Sequence, residues 1–146
     1  MIRSGVLRSS MFAVIVTAAG LIFAPLGCAP VQTAIIAEPG TSFTLPVGKT
    51  AAVKGTDIRL TFREVREDSR CPTDVTCVWA GDAKIAVVIS RYGVPDETRI
   101  MSITPPNNEA RSDNLRIRFV GLAPIPRQAD ANTPRSYVAQ FVADKL

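Results

Sequence analysis

The chain has 146 residues, with 17 lysines and arginines against 13 aspartates and glutamates, a net charge of +4. It contains no histidine, which excludes a Ser-His-Asp triad, a Cys-His pair and any histidine-ligated zinc. Removing residues 1–27 as an export leader takes away Arg3 and Arg8 and leaves 119 residues, whose 15 basic and 13 acidic side chains give +2. This is one domain's length, and the small charge gives no support to nucleic-acid binding.

The first 27 residues have the three zones of an export signal. Arg3 and Arg8 form a basic start, an apolar run extends from Met11 to Leu26, and small residues follow. The run has 16 residues and includes Pro25, whereas a membrane-spanning helix needs about 20 apolar residues. We therefore interpret residues 1–27 as a signal peptide rather than a permanent membrane span.

The segment Leu26-Gly27-Cys28 resembles the lipobox of bacterial lipoproteins, although Pro25 stands where the box usually carries leucine. The resemblance implies that Cys28 takes a diacylglycerol, becomes the new N-terminus and anchors the chain firmly to a membrane of the cell envelope. Ala29, in place of aspartate, implies outer-membrane sorting, facing the periplasm, if the organism is Gram-negative. The alternative is that Cys28 belongs to an ordinary leader cleaved nearby.

Residues 28–40 show little periodicity and contain Pro30, Pro39 and Gly40. This composition predicts a flexible tether, with a folded domain over residues 41–146.

Apolar residues in that domain recur at every second position, which is typical of β-strands. Ile58, Leu60 and Phe62 alternate with polar residues, as do Leu115, Ile117 and Phe119. Residues 85–89 are apolar on both faces, which predicts a strand in the interior of a sheet. The other strand candidates are residues 42–45, 50–54, 77–79, 98–103 and 137–142.

No segment has a sustained helical apolar period, and turn residues separate the strand candidates. The sequence therefore predicts an all-β fold, a single antiparallel β-sandwich of about seven or eight strands that is immunoglobulin-like in general architecture. Two longer polar connections, residues 104–114 and 123–136, are either crossovers between the sheets or functional loops.

Cys71 and Cys77 are separated by five residues in a chain that leaves the reducing cytoplasm, which predicts a local disulfide. On the chain-entropy model, closing so small a ring stabilises the fold by about 2.4 kcal/mol. The spacing and the absence of a βαβ pattern argue against a redox pair, and the absence of histidine argues against a metal. We assign no cofactor and no metal.

Trp79 follows this cysteine pair and is the single tryptophan of the chain. One interpretation places it at the start of the next strand, packed on the disulfide or on the edge of the core. The other makes it an exposed aromatic platform for a sugar or a peptide.

Four acidic residues surround the cysteines and could offer oxygen ligands to Ca²⁺: Glu67, Asp68, Asp74 and Asp82. Their spacing matches no known calcium loop, and Arg66 and Arg70 are available as partners. We expect turn capping and ion pairs here.

The segment Asp68-Ser-Arg-Cys-Pro through Asp74-Val75, followed by Cys77-Val78-Trp79-Ala80-Gly81, resembles a motif in a family of small, uncharacterised bacterial secreted proteins and lipoproteins. The resemblance covers most of the chain from Phe43 onward. It implies an exported, β-rich domain with a disulfide, and it transfers no activity, substrate or catalytic residue.

These features favour a noncatalytic envelope lipoprotein that binds an envelope protein or polymer, and we assign no catalytic residue. Asp74 and Trp79 are candidates for its binding surface. If Arg59 and Arg63 lie beside Arg116 and Arg118, they form a basic stripe for anionic lipids or acidic polymers, unless that face is only solvated.

Two alternatives belong to other classes. The chain is a protease inhibitor if the loop closed by the cysteines is presented to a protease, since a pre-ordered loop binds at lower entropic cost. It is a hydrolase if two carboxylates face each other in a cleft.

Overall fold

The computed structural model describes residues 34–146. The predicted leader, Cys28 and the first part of the predicted tether lie outside the described residues. Within residues 34–146 the chain forms nine strands and one 3-10 helix, Gln128–Asp130. The strands are β1 Ile35–Ala37, β2 Ser42–Pro46, β3 Thr50–Val53, β4 Arg59–Asp68, β5 Ala83–Arg91, β6 Val94–Ser102, β7 Glu109–Ser112, β8 Leu115–Ala123 and β9 Val138–Lys145.

The strands form two sheets, and the all-β sandwich predicted from the sequence is confirmed. One sheet has the order β1-β3-β4-β5-β6 and the other has the order β2-β9-β8-β7. Every pair is antiparallel except β1 with β3, which is parallel. The strand predicted to be interior, β5, is hydrogen-bonded to both β4 and β6.

The core lies between the sheets, where the alternating apolar side chains of both inner faces meet. The ring of Phe62, from the five-stranded sheet, lies edge-on to that of Phe141, from the four-stranded sheet, with centroids 6.4 Å apart. Phe43 and Phe119 flank Phe141 at 5.9 Å and 5.8 Å. Phe141, on β9, therefore connects the two sheets and contacts aromatic residues of three other strands, β2, β4 and β8.

The predicted tether extends too far into the domain. Ile35–Ala37 form β1, Ala37 is fully buried, and its carbonyl accepts a hydrogen bond from the Lys54 N–H at 2.9 Å. Gly40 N–H donates to the Ala143 carbonyl at 2.7 Å. Residues 35–40 therefore belong to the sandwich, and their three-residue strand is too short for its periodicity to be read from the sequence.

Two other strand predictions are corrected. Residues 77–79 form no strand, and the first strand after the cysteines begins at Ala83. Strand β7 is absent from the sequence-based prediction, because it is a short edge strand in which Ala110 is the only buried residue.

The two long connections differ in kind. Residues 103–108 carry the chain from β6 to β7, which lie in different sheets, so the crossover interpretation is correct there. Residues 124–137 join β8 to β9, which are neighbours in one sheet, so this connection is not a crossover. This connection lies at the end of the sandwich at which β4 ends and β5 begins, beside residues 69–82.

Candidate binding site at the disulfide loop

Residues 69–82, which we call the disulfide loop, extend the pairing of β4 with β5 beyond the sheet. The Ser69 N–H donates to the Asp82 carbonyl at 2.8 Å, and the Cys71 N–H donates to the Ala80 carbonyl at 2.9 Å. Gly81 has a φ of +70°, and a Cβ placed there would lie 1.8 Å from the Ser69 carbonyl oxygen. The two arms of the loop therefore approach so closely that only glycine fits at this position.

The predicted disulfide between Cys71 and Cys77 is present and closes the outer part of the loop, with the two Cα atoms 5.9 Å apart. Two neighbouring residues of this outer part are fixed by the connection between β8 and β9. The Thr73 N–H donates to the Pro126 carbonyl at 3.0 Å. The Asp74 carboxylate accepts hydrogen bonds from the N–H groups of Gln128 at 2.7 Å and Ala129 at 3.2 Å.

These two amides hold the pKa of Asp74 below its ordinary value. Asp74 thus caps the 3-10 helix Gln128–Asp130 from a distant part of the sequence. Its carboxylate oxygens already have partners, so Asp74 acts as a brace between two loops.

Arg70 attaches the base of the loop to the opposite sheet. Its guanidinium donates to both carboxylate oxygens of Asp68, at 2.7 Å and 2.8 Å, and to the carbonyls of Leu122 at 2.5 Å and Pro124 at 2.9 Å. Only 12% of the Arg70 side chain and 5% of that of Asp68 are exposed. The Tyr137 hydroxyl donates a further hydrogen bond to Asp68 at 3.1 Å.

The ionisation of Asp68 reflects these contacts. Burial alone would raise its pKa, but the hydrogen bonds and positive charge of Arg70, together with the Tyr137 hydroxyl, outweigh burial and lower the pKa. Asp68 is therefore a carboxylate held in its charged form, the opposite of what a general acid requires.

The other two acidic residues of the group also have partners. Both carboxylate oxygens of Asp82 accept hydrogen bonds from the Ser102 hydroxyl, at 2.8 Å and 2.9 Å, and Glu67 pairs with Lys84 at 2.7 Å. Ion pairing is thus confirmed for Glu67 and Asp68 and capping for Asp74, whereas Asp82 is held by the Ser102 hydroxyl. Arg66 is not part of this arrangement, since it pairs with Glu64 at 2.8 Å. Over residues 34–146 no cluster of three or more metal-ligating side chains is present.

The outermost residues of the loop are apolar and exposed. Val78 and Trp79 are 93% and 77% exposed, so the interpretation of Trp79 as a core residue or strand start is wrong. The reason lies in the backbone, because the chain after Cys77 remains in the loop until Ala83 and carries the indole away from the sheets. Ile125, on the connection packed against the loop, is 57% exposed.

The basic stripe does not form. Arg59 and Arg63 belong to β4, with Arg63 at a shift in strand register, whereas Arg116 and Arg118 belong to β8 in the other sheet. Asp144 of β9 pairs with Arg118 at 2.8 Å and with Arg116 at 3.7 Å. These four side chains therefore make no common surface, and two of them are part of a local ion-pair group.

Sequence reasoning missed the connection between β8 and β9 as the support of the disulfide loop. Its contacts with Arg70 and Asp74 join residues that are 54 to 55 positions apart. Its three prolines and its length were visible in the sequence, but no local pattern identifies the loop against which such a segment packs.

Comparisons with protein-family models, curated proteins and solved structures found no match to this chain.

In the described part of the chain, no helix has the length and apolar character needed to cross a membrane.

Proposed function

We propose that this protein is a lipid-anchored, noncatalytic binding module of the bacterial cell envelope whose contact surface is the disulfide loop. The observation that carries the proposal is the exposure of two adjacent apolar side chains, Val78 and Trp79, on a braced support. Exposed aromatic and aliphatic residues on a rigid loop bind at low entropic cost, because little ordering is required when the partner arrives.

The cysteines support the anchoring part of the proposal. The chain has three cysteines, and Cys71 and Cys77 are bonded to each other. Cys28 is the remaining one, placed directly after the leader-like segment in the context that resembles a lipobox. Disulfides persist in oxidising compartments, which agrees with export of this domain.

The carboxylates favour a noncatalytic role. The four acidic side chains near the disulfide loop are each hydrogen-bonded to a cation, a hydroxyl or backbone amides. A carboxylate hydrolase needs two carboxyl groups facing one substrate bond, one of them with a raised pKa. Asp68 and Asp74 have lowered pKa values instead.

Protease inhibition receives less support, because backbone groups of the disulfide loop already have hydrogen-bond partners within the protein. An inhibitory loop offers its backbone to the protease as an added strand. Within the ring closed by the disulfide, the Thr73 N–H already donates to Pro126, and the Val75 N–H donates to Pro72.

Lipid attachment is tested by fractionating cells that express the wild-type chain and Cys28→Ser, followed by intact mass measurement. We expect the wild type in the membrane fraction, with the mass of a lipidated Cys28 N-terminus, and the variant without the mass of the lipid. The double substitution Cys71→Ser with Cys77→Ser is the matched control, because it also removes sulfur but should remain in the membrane fraction. An unmodified wild-type chain that fractionates as Cys28→Ser does would overturn the anchoring.

A further inference from the structure

The direction of β1 relates the anchor to the disulfide loop. Strand β1 is parallel to β3, and β3 is antiparallel to β4, so β1 runs opposite to β4. Strand β4 runs toward the disulfide loop and β1 therefore runs away from it. The chain consequently enters β1 from the side of the sandwich on which the disulfide loop lies.

The length of the preceding segment fits this direction. Six residues separate Cys28 from Ile35, so their Cα atoms are at most about 25 Å apart. Ile35 pairs with a β3 residue that also pairs with Leu60 of β4, and Leu60 pairs with Ile89 of β5. Ile35 and Ile89 therefore lie at the same height along the sheet. The steps along β5 from Ile89 to Ala83, where the disulfide loop ends, cover about 20 Å. A lipid on Cys28 can therefore reach the level of Ala83, at the inner end of the loop.

The two ends of the sandwich expose different apolar side chains. The disulfide-loop end exposes Val78, Trp79 and Ile125, and also Val47, whose N–H donates to the Tyr137 carbonyl. The opposite end also exposes apolar side chains, Tyr92, Val94 and Leu146, and the turns beside them carry exposed charged residues. They are Lys54, Asp57, Asp113 and Lys145.

Three carboxylates at the disulfide-loop end have partners within the protein, although Arg127 and Asp130 are also exposed there. Asp68 is paired with Arg70, Asp74 accepts from backbone amides, and Asp82 accepts from Ser102. Contact with a low-dielectric surface is costly for an unpaired anion and much less so for one already hydrogen-bonded. These carboxylates therefore oppose membrane contact less than free ones would.

From these observations, and on the basis of the proposed lipid anchor, we infer that the partner of the disulfide loop is the bilayer that carries the lipid. Val78 and Trp79 lie among the lipid headgroups, so the domain is held with its disulfide-loop end on the membrane. Tryptophan suits this position, because its ring is apolar while its N–H remains available to water or headgroups. The disulfide and Arg70 hold the loop in the shape that makes this contact.

The single tryptophan makes the inference directly measurable. We would reconstitute the mature lipoprotein, purified from membranes, into phosphatidylcholine vesicles containing brominated lipids, and record tryptophan fluorescence. We expect bromine to quench Trp79 and its emission to lie at shorter wavelength than in the unlipidated domain. The matched control is Trp79→Phe combined with Tyr92→Trp, which moves the tryptophan to the opposite end and should show no quenching.

Flotation of the vesicles separates the two proposals. If the protein floats with the vesicles while Trp79 remains unquenched, the anchor is retained but membrane contact by the loop is overturned. Quenching of the tryptophan introduced by Tyr92→Trp would overturn that contact as well. A protein that does not float overturns the proposed anchor itself. A second variant, Val78→Asp, adds an unpaired anion beside Trp79 and should reduce the quenching without releasing the protein from the vesicles. Full quenching in this variant would count against the inference.

Discussion

The hydroxyl of Tyr137 donates a hydrogen bond to the carboxylate of Asp68 at 3.1 Å, joining the residue before β9 to the last residue of β4 in the opposite sheet. Arg70 donates to the same carboxylate, so one acidic side chain holds the disulfide loop and both sheets together. The contact is nearly closed to water, since 5% of the Asp68 side chain is exposed. The base of a loop at the edge of the molecule is therefore attached to the sandwich by a buried, hydrogen-bonded contact.

Asp68→Asn should destabilise the protein at neutral pH by about 2 kcal/mol or more, because Arg70 would lose its buried anionic partner. The folded-state pKa of Asp68 is lowered, so its contribution is present above the unfolded-state pKa of about 3.9 and is lost as pH falls through the folded pKa. Urea unfolding at pH 7, 5 and 3 measures this. The difference between wild type and variant should persist from pH 7 to 5 and shrink toward pH 3.

Asp96→Asn, on the exposed part of β6, is the control for this titration. Its stability should stay within about 0.5 kcal/mol of the wild type at each pH. A difference for Asp68→Asn that is equally large at pH 3 and pH 7 would contradict the assignment to the charged carboxylate.

Gly81→Ala should destabilise the protein by about 3 kcal/mol or more, since the added methyl group would overlap the Ser69 carbonyl and the backbone of the loop would have to open. Gly93→Ala is the matched control, because Gly93 has a similar φ of +73° but nothing lies within 4 Å of the position that an added Cβ would take. That substitution should cost only roughly 1–2 kcal/mol, the cost of a left-handed backbone for alanine. Equal losses in urea unfolding would show that contact with Ser69 is unimportant.

The double substitution Cys71→Ser with Cys77→Ser should lower the free energy of unfolding by about 2.4 kcal/mol and leave the sheets intact. The disulfide closes a ring outside both sheets and therefore constrains the loop rather than the core. Faster amide exchange should be confined to the disulfide loop and residues 124–130. Reduced wild-type protein should behave in the same way, and loss of the β circular dichroism signal on reduction would contradict this view.

Phe141→Ala should cost about 3–5 kcal/mol, because it removes the ring that contacts Phe43, Phe62 and Phe119 between the sheets. Phe141→Leu should cost less, since it leaves a smaller cavity. Urea unfolding followed by circular dichroism measures both variants. A loss below about 1 kcal/mol for alanine would mean that the sheets do not depend on this ring.

Trp79→Ala should change the stability of the unlipidated domain by no more than about 0.5 kcal/mol, because the indole is exposed and outside the core. In the wild-type domain the tryptophan emission should differ little between native and urea-unfolded protein, and acrylamide should quench it readily. A large red shift on unfolding would instead place the indole in an apolar environment within the folded domain.

Several features of this protein followed from the sequence alone. Alternation of apolar residues at Ile58, Leu60 and Phe62 predicted a strand with one buried face, and the pattern was repeated often enough to predict a sandwich. Cys71 and Cys77 were predictable as a pair because they are close in the chain. In each case the relevant interaction has the period of a strand or the length of a short loop, so it is encoded within a few residues.

The tertiary structure alone decided what surrounds each side chain. It placed Trp79 outside the core, separated the arginines of β4 and β8 into different sheets, and seated Arg70 on carbonyls 52 and 54 residues away. Exposure and long-range pairing depend on which segments the fold brings together, and that arrangement minimises the free energy of the whole chain. A local residue pattern specifies the shape of a segment but leaves its neighbours undetermined.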